Sequence, residues 1–277
     1  MRNKTIGIIG YGNMGSSIAQ GLKSKYQLYV FDKDKNKTKD AQGIKITDSL
    51  SDLAIQADIL FLAVKPQDFD GVLTELKDKT AGKLIISIAA GITTSYIEKL
   101  LPQARVIRAM PNIGVKIGQS VTCLCAGALA TGDDLALARD LFSCLGEVRE
   151  ISEGMMNEST AISGSGPGYI FEYFDSEGIS DNAITENVKE NIISRLAQAA
   201  EGVGFNKNEA MFLAVSTTNS SLALIKKTDL TPSELRRQIV SKGGTTEAGL
   251  EVIRRGGSWV DAARAAVARA KELSKEE

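Results

Sequence analysis

The sequence contains no histidine. That removes the side chain most often used as a general acid or base near neutral pH. It excludes Ser-His-Asp hydrolases, histidine-ligated zinc centres and dehydrogenases that deprotonate an alcohol with histidine. Proton chemistry is left to Lys, Tyr, Ser, Thr or water. Cysteine is scarce too: Cys123, Cys125 and Cys144 make an odd count, which reads as a reduced, cytoplasmic chain. Cys123 and Cys125 stand in an apolar stretch without zinc spacing. They read as buried strand residues, and no metal site is expected. Charge of neither sign predominates: the net charge is −1 over 277 residues, so nothing electrostatic points to nucleic acid or a membrane surface. No apolar run approaches the ~20 residues needed to cross a bilayer. The first apolar run opens at Thr5, which leaves no room for a signal peptide. The length accommodates two domains with a sizeable core.

What is present starts at once. Thr5 to Ile9 reads T-I-G-I-I, a buried parallel strand. It runs into Gly10-Tyr11-Gly12-Asn13-Met14-Gly15, a G-x-G-x-x-G, and then a helical pattern carrying Ile18, Ala19 and Leu22 on one face. A second apolar run, Gln27 to Phe31, ends on Asp32, twenty positions past Gly12. Strand, glycine turn, helix, strand and acid in that order form the dinucleotide fingerprint. Gly10 permits the tight turn, Gly12 lets a pyrophosphate approach the backbone, and Gly15 lets helix and sheet pack closely. The N–H groups opening the helix hold the phosphates. Asp32 suits the ribose hydroxyls of NAD and would repel the extra phosphate of NADP. Lys33, Lys35 and Lys37 follow directly. They read as a solvated helix start rather than as a phosphate site, which they could form should Asp32 turn away, so the residues lean to NAD and leave NADP open.

Helix and strand keep alternating. Lys35 to Ala41 reads as helix and Ile44 to Thr47 as a short strand; Ser49 with Asp52 offers a helix cap. Ile59 to Val64 is an apolar strand cut off by Lys65-Pro66. Loops after such strands line the cofactor crevice, so Lys65 is either a cofactor or substrate contact or a surface lysine before a helix-starting proline. Leu84 to Ile88 is another strand, ending in the small residues Ala89-Ala90-Gly91. Thr93 or Thr94 caps the next helix, and Arg105 to Ala109 leads into Met110-Pro111-Asn112. Val121 to Cys125 and Glu147 to Ile151 read as edge strands around a helix from Leu135 to Cys144. Residues 1–152 are therefore expected to form a doubly wound Rossmann-type α/β domain.

From Met155 onward only helical periods appear, so 153–277 is expected to be an all-helical domain. Its Ala-rich helices suit packing against a second copy. Ser163-Gly164-Ser165-Gly166-Pro167 is a turn into a helix. Asn206 with Glu209, Thr231 with Glu234 and Ser258 with Asp261 have capping spacing. Ser241-Lys242-Gly243-Gly244-Thr245-Thr246 precedes another helix. Paired glycines there expose backbone N–H groups to a small anion such as a carboxylate, or simply form an N-cap. Two N–H-rich sites suggest hydride transfer to a carboxylate-bearing substrate. Without histidine an imine fits, since it enters already protonated.

These stretches, taken in order over nearly the whole chain, resemble pyrroline-5-carboxylate reductases: Ile8 to Gly15, Ala63-Val64-Lys65-Pro66, Met110-Pro111-Asn112, Ser163 to Pro167, and Ser241 to Thr246. The resemblance implies NADPH or NADH as hydride donor and 1-pyrroline-5-carboxylate as substrate. It implies pyrophosphate on Gly10 to Gly15, with Ala63, Val64, Lys65, Pro66, Ala89, Ala90 and Gly91 nearer ribose and nicotinamide. Gly243, Gly244 and Thr245 would hold the substrate carboxylate, and the Thr246 hydroxyl the ring nitrogen. The helical domain would form a homodimer whose active sites use both subunits, in some members within a larger ring. Three departures stand out. Lys242 replaces a usual proline, Gly168 a common alanine, and a stretch within Asp175–Ser194 is extra. Related readings are a hydroxyacid dehydrogenase of similar architecture and a regulatory protein that binds cofactor without turnover.

Overall fold

A computed structural model describes residues 4–180 and 183–274. The chain divides into two compact units. The first holds the chain up to Met110, then Cys123–Glu153 and Ser274; the second holds Pro111–Thr122 and Gly154–Leu273.

The elements up to β8 run β1 (Thr5–Ile9), α1 (Asn13–Leu22), β2 (Gln27–Phe31), β3 (Lys45–Ile46), α2 (Leu50–Gln56), β4 (Ile59–Leu62), α3 (Phe69–Leu76), β5 (Leu84–Ser87), α4 (Thr94–Leu100), β6 (Arg105–Pro111), β7 (Ser120–Ala126), α5 (Gly132–Ser143) and β8 (Gly146–Glu150). They build one eight-stranded sheet in the order β3-β2-β1-β4-β5-β6-β7-β8. The pairings from β3 through β6 are parallel. All of β4 and β5 is buried, as expected of parallel strands covered on both faces. Leu53, Leu60, Leu73, Ile85 and Ile97 belong to one core cluster joining these strands to α2, α3 and α4. Sequence order reverses between β1 and β4. Such a switch point opens a crevice beyond the carboxyl ends of the two strands.

Three sequence expectations need correction. Lys35 to Ala41 is not an α-helix: Lys35–Thr38 forms a 3₁₀ helix, and the chain then continues through non-helical turns. The Asp34 side chain accepts from Asn36 N–H and tightens the chain there. The strand expected over Ile44 to Thr47 shrinks to the two residues of β3. β7 is not an edge, because β8 lies outside it, and Ser120 to Cys125 are consequently buried. Cys123 and Cys125 are free and buried. Burial first, and the Glu153 carboxylate second, push the Cys125 thiol up to about 12, so it stays protonated and inert.

In the second unit the elements are α6 (Met156–Ser159), α7 (Gly166–Ser176), α8 (Glu186–Gly202), α9 (Lys207–Lys227), α10 (Pro232–Arg237), α11 (Thr245–Arg254) and α12 (Trp259–Leu273). A π-helical turn, Thr160–Gly164, joins α6 to α7. The expected caps form: Asn206 accepts from Asn208 and Glu209 N–H, Thr231 and Glu234 make a reciprocal box, and Ser258 accepts from Asp261 N–H. Each satisfies N–H groups that open a helix without partners. Of the stretch expected to be extra, 181 and 182 lie outside the described residues; its first residues end α7 and its last ones open α8, capped by Thr185. Glu172 of α7 lies between two arginines, Arg236 of α10 at 2.6 Å and Arg254 of α11 at 2.8 Å. That cluster pins α7, α10 and α11 to one another.

Candidate active site

In the first unit the crevice at the switch point is a cleft of ≈ 460 Å³. Gly10, Gly12, Asp32, Ala63, Val64 and Lys65 line it. The fold itself requires Gly10: its φ is +96°, and a Cβ there would stand 2.6 Å from the Ala63 carbonyl oxygen. Gly15 is required too, since a Cβ would meet the Gly10 carbonyl oxygen at 2.0 Å. Gly12 differs. A Cβ on it would meet nothing within 4 Å, so no internal packing explains the bare backbone. Gly12 is also the N-cap of α1, and no side chain caps that helix. An uncapped helix start beside an open glycine is what a diphosphate needs, and the dinucleotide therefore fits these residues.

Tyr11, Asn13 and Met14 belong to the same turn and helix start. Pro66 opens a 3₁₀ turn just after Lys65. Ala89, Ala90 and Gly91 follow β5, one strand farther along the sheet, and are not among the lining residues.

Asp32 is turned inward. Its carboxylate accepts from Tyr11 N–H at 2.7 Å and Asp34 N–H at 2.9 Å, and its side chain is only 6% exposed. Two of the lysines that line the cleft, Lys33 and Lys37, are by contrast well exposed. Lys37 Nζ lies 3.6 Å from Asp32. Lys33 pairs with Asp68 at 2.6 Å, and that hydrogen bond raises its pKa.

In the second unit the Gly243-Gly244 turn leads into α11. Gly243 takes a φ of +70°, a conformation glycine adopts without strain. Part of the expected anion cradle is already engaged. Gly243 N–H donates to the Glu247 carboxylate at 2.6 Å and Gly244 N–H to the Ser241 carbonyl at 2.9 Å. The uncapped N–H groups are those that follow, because no side chain caps α11. Arg269 Nε donates to the Gly243 carbonyl at 2.6 Å and fixes the turn. Thr246 is 5% exposed, and its hydroxyl donates to Ser165 Oγ at 3.1 Å. Thr245 Oγ1 lies 3.2 Å from the same oxygen. In the sequence Ser165 stands in a turn into a helix and in one of the stretches that carry the family resemblance, but nothing there gives it a role of its own or a partner.

Comparison with known proteins agrees with both halves. Residues 5–91 match a family described as NADP oxidoreductase coenzyme F420-dependent. Residues 188–275 match the pyrroline-5-carboxylate reductase dimerisation family. A pyrroline-5-carboxylate reductase of Methanosarcina acetivorans is 33% identical over 99% of this chain and 100% of its own. The chain belongs to the pyrroline-5-carboxylate reductase family. It is accordingly an oxidoreductase, with NADP or NAD as its cofactor and proline biosynthesis as its setting. Among solved structures, the reductase of Coxiella burnetii is 33% identical with a TM-score of 0.65, over 99% of both chains. A Plasmodium falciparum pyrroline carboxylate reductase with NADP bound is 26% identical, with a TM-score of 0.66 over 99% of this chain and 100% of that one.

Proposed function

We propose that this enzyme reduces 1-pyrroline-5-carboxylate to L-proline at the expense of NADPH or NADH. The observation that carries the reading is Thr246: a nearly buried hydroxyl in the uncapped first turn of α11, directly after a glycine pair. A carboxylate suits the free N–H groups of that turn, and the hydroxyl beside them suits the ring nitrogen, which is bonded to the carbon that bears the carboxylate.

Gly10 to Gly15 would hold the diphosphate, and Lys33 and Lys37 would face the ribose end. The reduced nicotinamide supplies a hydride when bound. The imine nitrogen carries its proton before reaction, so hydride addition at carbon converts C=N–H⁺ to a neutral secondary amine with no further proton required. That is why the reaction proceeds without histidine. Thr246 orients the nitrogen, and the α11 N–H groups with Thr245 hold the acid. The matched dimerisation region supports a homodimer, and the three free cysteines support a reducing, cytoplasmic setting. Steady-state oxidation of NADH and of NADPH, each with the five-membered imine, tests the proposal. Turnover with at least one is expected; turnover with neither would overturn it.

A further inference from the structure

Thr246 is held from two sides. Its methyl packs on α7 where Gly168 has no side chain: a Cβ on Gly168 would stand 2.6 Å from Thr246 Cγ2. Its hydroxyl donates to Ser165 Oγ. Ser165 is itself immobile. It is fully buried, its N–H donates to the Thr160 carbonyl at 2.8 Å and closes the π turn, and its carbonyl accepts from Gly168 N–H at 2.8 Å. Tyr169, the titratable neighbour on α7, is fully buried as well, and that burial raises its phenol far above the usual value. It therefore stays neutral and adds no charge beside Ser165.

A hydroxyl has one proton and two lone pairs. If the Thr246 proton is given to Ser165, the oxygen left facing the substrate can only accept. An acceptor matches the N–H⁺ of a protonated imine and mismatches the lone pair of a neutral one. We infer that Ser165 is a positioning residue for the reduction: it takes the Thr246 hydroxyl proton, passes its own hydrogen bond to Thr245 Oγ1, and so fixes Thr246 as an acceptor for the cationic nitrogen. This rests on the role given to Thr246 above. Ser165 touches neither substrate nor cofactor in this scheme, and everything it does passes through Thr246.

A double-mutant cycle tests it, with kcat and KM measured on the five-membered imine for the wild type, Ser165→Ala, Thr246→Ala and the double variant. Ser165→Ala is expected to lower kcat about 10-fold, the worth of one well-made hydrogen bond. KM for the imine should stay within about 2-fold, because the carboxylate is held by backbone groups that the change does not touch. In the Thr246→Ala background the same change should cost nothing more. An equal loss in both backgrounds, or no loss in the wild type, would overturn the inference. Ser165→Cys covers the case in which Ser165→Ala misfolds, which a thermal melt reveals. It fills the same buried space but offers the Thr246 hydroxyl a much weaker acceptor, and should lower kcat several-fold with KM for the imine unchanged; wild-type kcat in a folded Ser165→Cys would contradict the proposal. Absence of turnover in the wild type would instead refute the assigned substrate, so the two failures are separable.

Discussion

Gly12 is a residue whose identity the fold alone does not require. Gly12 has open space where its side chain would be, so Gly12→Val should leave the melting temperature nearly unchanged. The same side chain would stand where a diphosphate approaches. Cofactor affinity should fall at least 10-fold, read by nucleotide fluorescence titration beside a thermal melt. A parallel loss of stability and affinity would mean that Gly12 serves packing after all. Thr246→Ala should lower kcat by about 10²-fold, the low end for a positioned catalytic group, and near-normal turnover would remove its role. The inward Asp32 bears on the nucleotide. With its carboxylate held by two backbone N–H groups, the most exposed charged groups at that end of the cleft are Lys33 and Lys37. Lys37→Glu should therefore raise KM for NADPH several-fold more than KM for NADH, a split that steady-state kinetics reads directly.

At the scale of elements, the Glu172 cluster decides where α11 begins relative to α7. Glu172 is only 12% exposed and serves both Arg236 and Arg254. Glu172→Ala would leave Arg236, itself 14% exposed, without its nearest carboxylate. The expected cost is about 1–3 kcal/mol, seen as a Tm lowered by several degrees with KM for the imine raised. Elements of this kind were legible in the sequence to different depths. β1, α1 and β2 were plain, since apolar runs flank glycines with fixed tasks. The caps at Asn206, Thr231 and Ser258 were plain because capping is local chemistry. β3 and the 3₁₀ turn at Lys35–Thr38 were misjudged, because a few polar residues carry no period long enough to separate a turn from a helix. The interior position of β7 was hidden, since strand order depends on contacts distant in sequence. Ser165 was hidden for the same reason: its partner hydroxyl lies 81 positions away. The glycine pair before α11 was visible, but not that Glu247 and Ser241 already occupy its N–H groups.

For the whole molecule, acid is the informative stress. Asp58 is held low mainly by its backbone hydrogen bond from Thr5, Glu234 by that from Thr231, and Asp261 by its hydrogen bonds from Ser258. A carboxyl whose folded pKa is depressed stabilises the fold above its unfolded value, near 4, and loses that contribution as pH falls through the folded one. Melting temperature should therefore be flat from about pH 5 to 7 and decline below about pH 4; a decline starting near pH 6 would point to other groups. Light scattering should give at least twice the 29.6 kDa chain mass, in line with the matched dimerisation region; the mass of one chain would contradict the dimer. The sheet has a bearing on how copies meet. At one margin stands β3, two exposed residues of which one is Lys45. At the other stands β8, whose Gly146-Glu147-Val148-Arg149-Glu150 alternates with charge. Margins so short or so charged give an incoming strand little to zip onto. Concentrating this protein should thus not thread copies into fibres through their strands.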